Sequence, residues 1–300
     1  MKRVKDKRGF ILLPVLIVFA IVIAMIGDFS YEVFVDTGSL KNYVISQRLS
    51  MLGGSAMDFA REHISNYLRG LNYTDQREFL LDLSSFISLP EESKEKDPSL
   101  TVILSDENGK FNLNSFYTLS LTDKIKALDG FKRLLRKLKL NEDIGLMVSD
   151  WIDRDSDEDY PGGERNSKNR GLYSIEELLQ IPGITEESFE KLKPYVTCYT
   201  DGRININTAP LEVLLTMEGI TEDIAEAIIN YRIERPFERP EDLKNVPGIS
   251  PGLYQSLQGR YTVKALIYGI TIKAEQSGIR RYIHGVVNPE TLRLKYYREE

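Results

Sequence analysis

Residues 10–27, FILLPVLIVFAIVIAMIG, carry no charge, and no other stretch restricts the chain so strongly. As a helix this run rises about 27 Å, close to the hydrocarbon thickness of a bilayer. Lys2, Arg3, Lys5, Lys7 and Arg8 precede it against the single acid Asp6. Basic residues stay on the cytoplasmic side, so the remainder of the chain is expected outside. A cleavable signal peptide shares this order of charge and apolar run, but it ends in a small-residue A-x-A site, and none follows Gly27. Over 29–70 apolar residues recur at roughly helical spacing (Val33, Tyr43, Val44, Leu49, Leu52, Met57, Phe59, Ala60, Ile64, Leu68). They predict one long helix, disturbed near Gly53 and Gly54.

The rest is long enough for more than one folded unit: 300 residues, 42% hydrophobic and 28% charged. Lys and Arg number 39 against 45 Asp and Glu, a formal charge of -6, which argues against a surface built to coat nucleic acid. Cys198 is the single cysteine, which excludes an intrachain disulfide and any cysteine-based zinc site. His63 and His284 stand far apart with no nucleophile near either in sequence, and no G-x-S-x-G, Walker A or G-x-G-x-x-G is present. Enzymatic activity is not expected.

Residues 91–99, EESKEKDPS, read as a polar loop, and TVILSDENGKFNLN (101–114) as a hairpin turning at Asp106–Gly109. Residues 119–258 read as mostly helical. Strand-like runs return over 260–297. The last runs would finish a sheet begun near residue 101, making the helical block an insertion within an α+β domain. The expected organisation is a leader (1–9), a membrane part of the long helix (10–27), an α/β part (28–118), the inserted all-α block (119–258) and closing strands (259–300).

The most chemically specific stretch is the acidic loop 149–166, SDWIDRDSDEDYPGGERN. With Asp153 as the first position, Asp155 is third, Asp157 fifth and Glu164 twelfth, the side-chain ligand positions of an EF-hand loop. Such a set of oxygens suits Ca²⁺, which accepts six to eight of them in loose geometry; Mg²⁺ prefers fewer carboxylates and keeps its waters. Asp150 and Asp159 are further candidates. The sixth position is Glu158 and not Gly, so a loop of similar logic is expected rather than an EF-hand domain. The alternative is a plain solvated acidic loop.

Three turns share a pattern: IPGIT (181–185), MEGIT (217–221) and VPGIS (246–250). The stretch around the second resembles helix-hairpin-helix sequence, which in DNA receptors holds a phosphate on hairpin N–H groups. Here the second glycine of that pattern is Thr185, Thr221 or Ser250, a good N-cap that occupies those donors itself. Residues 174–258 also hold 15 acids and seven bases, a net charge of −8. Counterion release cannot drive DNA onto such a surface, and a protein-contact role is expected instead.

The order basic leader, Gly9, Phe10, apolar helix resembles the type IV prepilin signal. The resemblance implies cleavage between Gly9 and Phe10 by a prepilin peptidase, methylation of the new N-terminus, and a helix retained as anchor and assembly element. Where that family has Glu five residues into the mature chain, this sequence has Pro14. It therefore offers no carboxylate to a neighbour's terminal ammonium and fits an end of a filament better than its body.

DENGKFNLN (106–114), SDWIDRD…PGGE (149–164), YSIEELLQIPGI (173–184) and ININTAP (204–210), in that order, resemble the general secretion pathway protein K family of minor pseudopilins. The resemblance implies a pilin-like long helix and antiparallel sheet with a large inserted all-α (SAM/helix-hairpin-helix-like) domain, and calcium held by the matching acids Asp153, Asp155, Asp157 and Glu164. It also implies a place at the pseudopilus tip with other minor pseudopilins, on an inner-membrane assembly platform. The chain would be anchored once in inner-membrane lipid with its folded part periplasmic. The other readings are a membrane-tethered DNA receptor and a minor pilin of a type IV pilus.

Overall fold

A computed structural model describes residues 8–75, 78–82, 97–118, 120–154, 160–161, 163 and 167–300. Helix α1 (Arg8–Phe59) runs unbroken through Gly53 and Gly54. The disturbance expected at that pair comes later, at a π-helical turn over Ala60–Ile64 that leads into α2 (Ser65–Arg69). Gly53 has a different task. A Cβ there would lie 1.9 Å from Ile283 Cδ1, so glycine lets the helix lie close on the sheet. The packing gained there offsets the roughly 1 kcal/mol that glycine costs inside a helix. From residue 45 on, α1 is amphipathic: Ile45, Leu49, Ala56 and Met57 are buried against the sheet, and Ala60 continues that face into the π-helical turn. Upstream, Val15 to Val35 present exposed apolar side chains, a stretch long and apolar enough to cross a membrane.

Strands β1 (Glu78–Asp82) and β2 (Ser99–Asp106) follow and pair antiparallel. The hairpin expected over 101–114 does not form. The chain leaves the sheet at a 3-10 turn, Glu107–Gly109, and β3 (Phe111–Asn112) pairs in parallel with β4 (Val196–Thr197). Between them lie α3 (Ser115–Thr118), α4 (Leu121–Lys137), α5 (Asp143–Ile152) and α6 (Glu186–Leu192). Then β5 (Ile204–Asn205), α7 (Leu211–Leu214), α8 (Glu222–Glu234) and α9 (Pro251–Leu257) lead to β6 (Tyr261–Thr262), which pairs in parallel with β5. The chain re-enters the sheet as β7 (Tyr268–Gln276), β8 (Ile279–Asn288) and β9 (Arg293–Glu299).

The sheet order is β1-β2-β7-β8-β9, antiparallel throughout. The period of two puts Leu100, Val102, Leu104, Ile270, Ile272 and Ile283 on the face that packs against α1. The block spliced between β2 and β7 has cores of its own. Phe111, Leu113 and Phe116 enter one of them, and Tyr261 and Val263 the other. The block thus reaches beyond 119–258 on both sides.

The block is one unit built twice. In the first, Asn114 Nδ2 donates to Leu172 O (3.0 Å) and Cys198 O (2.7 Å), and its Oδ1 accepts from Leu172 N (2.7 Å). In the second, Asn207 Nδ2 donates to Phe237 O (2.9 Å) and Val263 O (3.1 Å), and its Oδ1 accepts from Phe237 N (2.9 Å). The sequence follows the geometry: LYSIEELLQIPGIT (172–185) lies over FERPEDLKNVPGIS (237–250), and EDIGLMVSDWI (142–152) over EDIAEAIINYR (222–232). The units pack tightly on one another, since a Cβ on Gly130 of α4 would lie 2.3 Å from Thr216 O.

Candidate functional site

The first unit carries the acidic loop, which leaves the end of α5. Asp150 and Asp153 are both buried, at 0% and 2% exposure. Asp150 Oδ2 accepts from Tyr160 N (2.8 Å), and Gly163 N donates to Tyr160 O (2.7 Å). A Cβ at Gly163 would stand 2.1 Å from Asp150 Oδ2, so only glycine lets that turn close on the carboxylate. Asp153 Oδ2 accepts from Lys124 Nζ of α4 at 2.5 Å. The Arg154 guanidinium sits 4.3 Å from the centre of the Tyr117 ring. On the return side, Lys168 N and Asn169 N donate to Trp151 O (3.1 and 3.2 Å), and Lys168 pairs with Glu177. Both feet of the loop are therefore fixed by protein groups.

Of the expected ligands, Asp155, Asp157, Glu164 and Asp159 lie outside the described residues. Among the described residues no three His, Cys, Asp or Glu side chains converge as a metal site. Two buried carboxylates at the mouth of a loop with further acids are hard oxygen donors, a set suited to Ca²⁺. At the other expected site, Gly9 and Phe10 fall in the first turn of α1.

The three hairpin turns behave as their sequence requires. Gly183, Gly219 and Gly248 sit at φ of 96°, 80° and 87°, where glycine alone is unstrained. Thr185, Thr221 and Ser250 accept from Ser188 N, Ile224 N and Leu253 N as N-caps. A fourth turn went unread in the sequence. Lys139, at φ 57°, takes the place that Gly219 holds in the second unit, and Asn141 Oδ1 accepts from Asp143 N (3.0 Å). Its motif was hidden because a lysine occupies the left-handed position. Glu142–Asp143, Glu186–Glu187 and Glu222–Asp223 follow three of these four caps, whereas Pro251 and Gly252 follow Ser250. The carboxylates favour the helix dipoles and repel a phosphate from the same ends.

A buried polar hub where the block joins the sheet was also missed. Asp106, 2% exposed, accepts from Asn108 N (2.7 Å), Asn205 Nδ2 (2.7 Å) and Thr208 Oγ1 (2.6 Å). Burial pushes its carboxyl up to about 6, against the pull of these hydrogen bonds. Asn108 donates to Arg203 O (2.9 Å) and accepts from Leu266 N (2.8 Å) and Ile267 N (3.1 Å). Glu107 accepts from Thr197 Oγ1 and Lys110 Nζ, each at 2.6 Å. The visible signal was the paired N-x-N spacing, Asn112/Asn114 and Asn205/Asn207. Across the sheet, Lys295 Nζ donates to Tyr199 O (2.7 Å), and Arg298 reaches Glu176 (3.7 Å).

A long helix laid on an antiparallel sheet, with an all-α block spliced between two of its strands, defines a pilin-like α+β protein. Residues 109–201 match the family described as type II secretion system (T2SS), protein K, and residues 200–262 match the helix-hairpin-helix motif. Over residues 109–201 the resemblance read in the sequence is borne out as a match to that family. It is 30% identical over 164 residues to type II secretion system protein K of Pseudomonas aeruginosa, covering 48% of this chain and 47% of that protein. It is 32% identical over 114 residues to ComE operon protein 1 of Bacillus subtilis, covering 34% of this chain and 56% of that one. The chain spans about half the length of the curated relatives it matches. Its fold follows a chain of the crystal structure of the GspK-GspI-GspJ complex from the enterotoxigenic Escherichia coli type 2 secretion system. The TM-score is 0.67 at 18% identity, covering 88% of this chain and 99% of that one.

Proposed function

We propose that this chain is a minor pseudopilin of a type II secretion system that caps or primes the filament at its tip and so serves export across the outer membrane. A prepilin peptidase would cut it between Gly9 and Phe10, with methylation of the new N-terminus. The helix α1 would then anchor it in the inner membrane, on an assembly platform, with sheet and block in the periplasm. The observation that carries this reading is a protein K domain spliced into a pilin-like sheet behind an apolar helix. Pro14 supports the tip position: it offers no carboxylate to a neighbour, and in a chain cut before Phe10 its missing N–H costs only one hydrogen bond of the first turns. The likeness to a chain of the GspK-GspI-GspJ complex makes other minor pseudopilins the partners to try. Co-purification of the full chain with them from detergent is expected. Failure to co-purify, or a mature first residue other than Phe10 by mass spectrometry, would overturn the reading.

Calcium belongs to the same proposal. Asp153, Asp155, Asp157 and Glu164 would hold the ion, with Asp150 and Asp159 in reserve, and the ion would offset their repulsion and fix the loop. Trp151, the single tryptophan, adjoins Asp150 in the loop's foot and reports on it. CaCl₂ is expected to change its emission and raise the melting temperature of the full chain in detergent. Glu164→Gln should abolish both effects and leave the protein unchanged in EDTA. Equal effects of the substitution with and without calcium would remove the metal.

A further inference from the structure

We infer that the seam between the two units of the block is a binding site, a cleft that takes a short uncharged peptide segment of a partner protein. The cleft measures about 310 Å³ and opens between α4 of the first unit and the Thr216–Glu218 turn of the second. Its floor is apolar: Phe111, Ile204 and Met217 are 5–6% exposed, with Ala127 beside them. Two ion pairs cross the seam at its rim, Arg260 to Asp123 (2.9 Å) and Lys126 to Glu218 (3.0 Å). Ser115 lines the cleft as well and is 8% exposed. Among the described residues its hydroxyl has no hydrogen-bond partner. Ligand pockets have this make-up: an apolar lining where two folded parts meet, with a few placed polar groups.

The duplication says what that hydroxyl suits. ENGKFNLNS (107–115) lies over TDGRININT (200–208), so Ser115 corresponds to Thr208 and Gly202 to Gly109. The geometry repeats with the sequence. A Cβ on Gly109 would stand 2.9 Å from Thr208 Oγ1, and one on Gly202 would stand 3.4 Å from Ser115 Oγ. Thr208 Oγ1 donates to Asp106 Oδ2 (2.6 Å). The same register puts Tyr199 where Asp106 stands, but the Tyr199 ring packs on Tyr296 of β9, with centroids 5.6 Å apart. Ser115 therefore faces the cleft where its counterpart faces a carboxylate, and the repeat marks it as the donor to an oxygen acceptor. Charge decides which acceptor. The acids that line the cleft are paired: Asp123 with Arg260, Glu218 with Lys126 and Asp201 with Arg203 (2.6 Å). Among the described residues lining it, no cation is left to balance an incoming carboxylate, and a desolvated charge without a partner is costly. A neutral carbonyl beside an apolar side chain satisfies both the hydroxyl and the floor, and a peptide carries the two together.

The test follows the methyl signals of Met217 and Ile204 by NMR in the full chain in detergent. Three probes are titrated: N-acetyl-alanyl-leucyl-alanine amide, N-acetyl-leucine amide and N-acetyl-leucine with its free carboxylate. The blocked tripeptide is expected to shift both signals to saturation, at lower concentration than the blocked leucine, and the free carboxylate to bind more weakly than either. Ser115→Ala should weaken the tripeptide about fivefold, the worth of one hydrogen bond. Ser115→Thr, which installs the side chain of the other unit, should keep the affinity. Gln258→Trp, at an exposed position on the cleft, should abolish binding. Because Gln258 is exposed, that variant carries the test even where Ser115→Ala lowers stability. No shift at Met217 and Ile204 with the tripeptide, or binding that Ser115→Ala or Gln258→Trp leaves unchanged, would overturn the inference. Tighter binding of the free carboxylate would assign the cleft to an anion, and a tripeptide no tighter than the blocked leucine would assign it to a small molecule. Either result overturns the peptide. The measurement uses no pseudopilin partner, so its failure leaves the secretion reading standing.

Discussion

The two units of the inserted block share their buried asparagine bracket, their parallel strand pair and the glycine hairpin of Gly183 and Gly248, yet the path from the EDI helix to the next turn differs. In the second unit residues 233–236 make that step; in the first, residues 153–171 make it and include the acidic loop. Both cores close: Phe131, Leu134, Leu135 and Ile152 are fully buried in one, Leu214, Ala225, Ile228 and Phe237 in the other. A unit that folds with or without the long connector treats the connector as an attachment. Folds carry sites in this way, with chemistry grafted where the scaffold tolerates length. The units also differ in how they are tied to the sheet. Glu107, paired with Lys110, holds Thr197 of the first, whereas Asp106 holds Asn205 and Thr208 of the second, its carboxylate accepting from neutral donors.

The largest expected effect tests whether the brackets are equivalent. Asn207→Ala leaves three buried backbone groups without their partner and should cost about 3–5 kcal/mol in chemical denaturation. Asn114→Ala should cost somewhat less, because Asn114 is only partly buried. A neutral Asn114→Ala would break the equivalence. The next effect concerns attachment. The Asp106 carboxyl is raised from 3.8 to about 6, so folding favours its protonated form. Its contribution to stability is fully present below pH 3.8 and is lost as pH rises through about 6. Acidification from pH 7 to 4 should therefore give a gain that Asp106→Asn removes, about 3 kcal/mol at most. Denaturation midpoints of the wild type and Asp106→Asn across that range check it, and parallel curves would discard it. The smallest effect sharpens the hairpin comparison. Lys139→Gly should stabilise by about 1 kcal/mol, since it relieves a left-handed lysine. Gly219→Ala at the equivalent turn should destabilise by more, because the new Cβ would also stand 2.6 Å from Leu253 Cδ1. Thermal melts that moved in the same direction would separate the two turns.

Much of this architecture was legible. The apolar run and the helical spacing after it specify α1, and the PGI and EGI turns with Thr or Ser behind them specify hairpins, because each rests on a local preference. The alternation in β7 and β8 marks strands that return to a sheet. The hairpin over 101–114 was misread because Asp106–Gly109 has good turn chemistry; that turn forms, but it is spent on leaving the sheet. A strand of two residues such as β3 has no period to detect, and its parallel partner lies far along the chain. In the candidate site, the acid spacing pointed to the loop, while Lys124 gave no signal because a lysine on an amphipathic helix reads as solvated.

By itself the sequence determined what neighbouring residues decide among themselves: an apolar rod, caps, left-handed glycines and an acid-rich loop. Tertiary structure decided which distant groups are buried together. It set Lys124 against Asp153, placed Asp106 among neutral donors and made the helical block a duplicated unit. The physical reason is that the cost of burying a charge or an amide depends on partners brought in by the whole fold, and no local pattern encodes them.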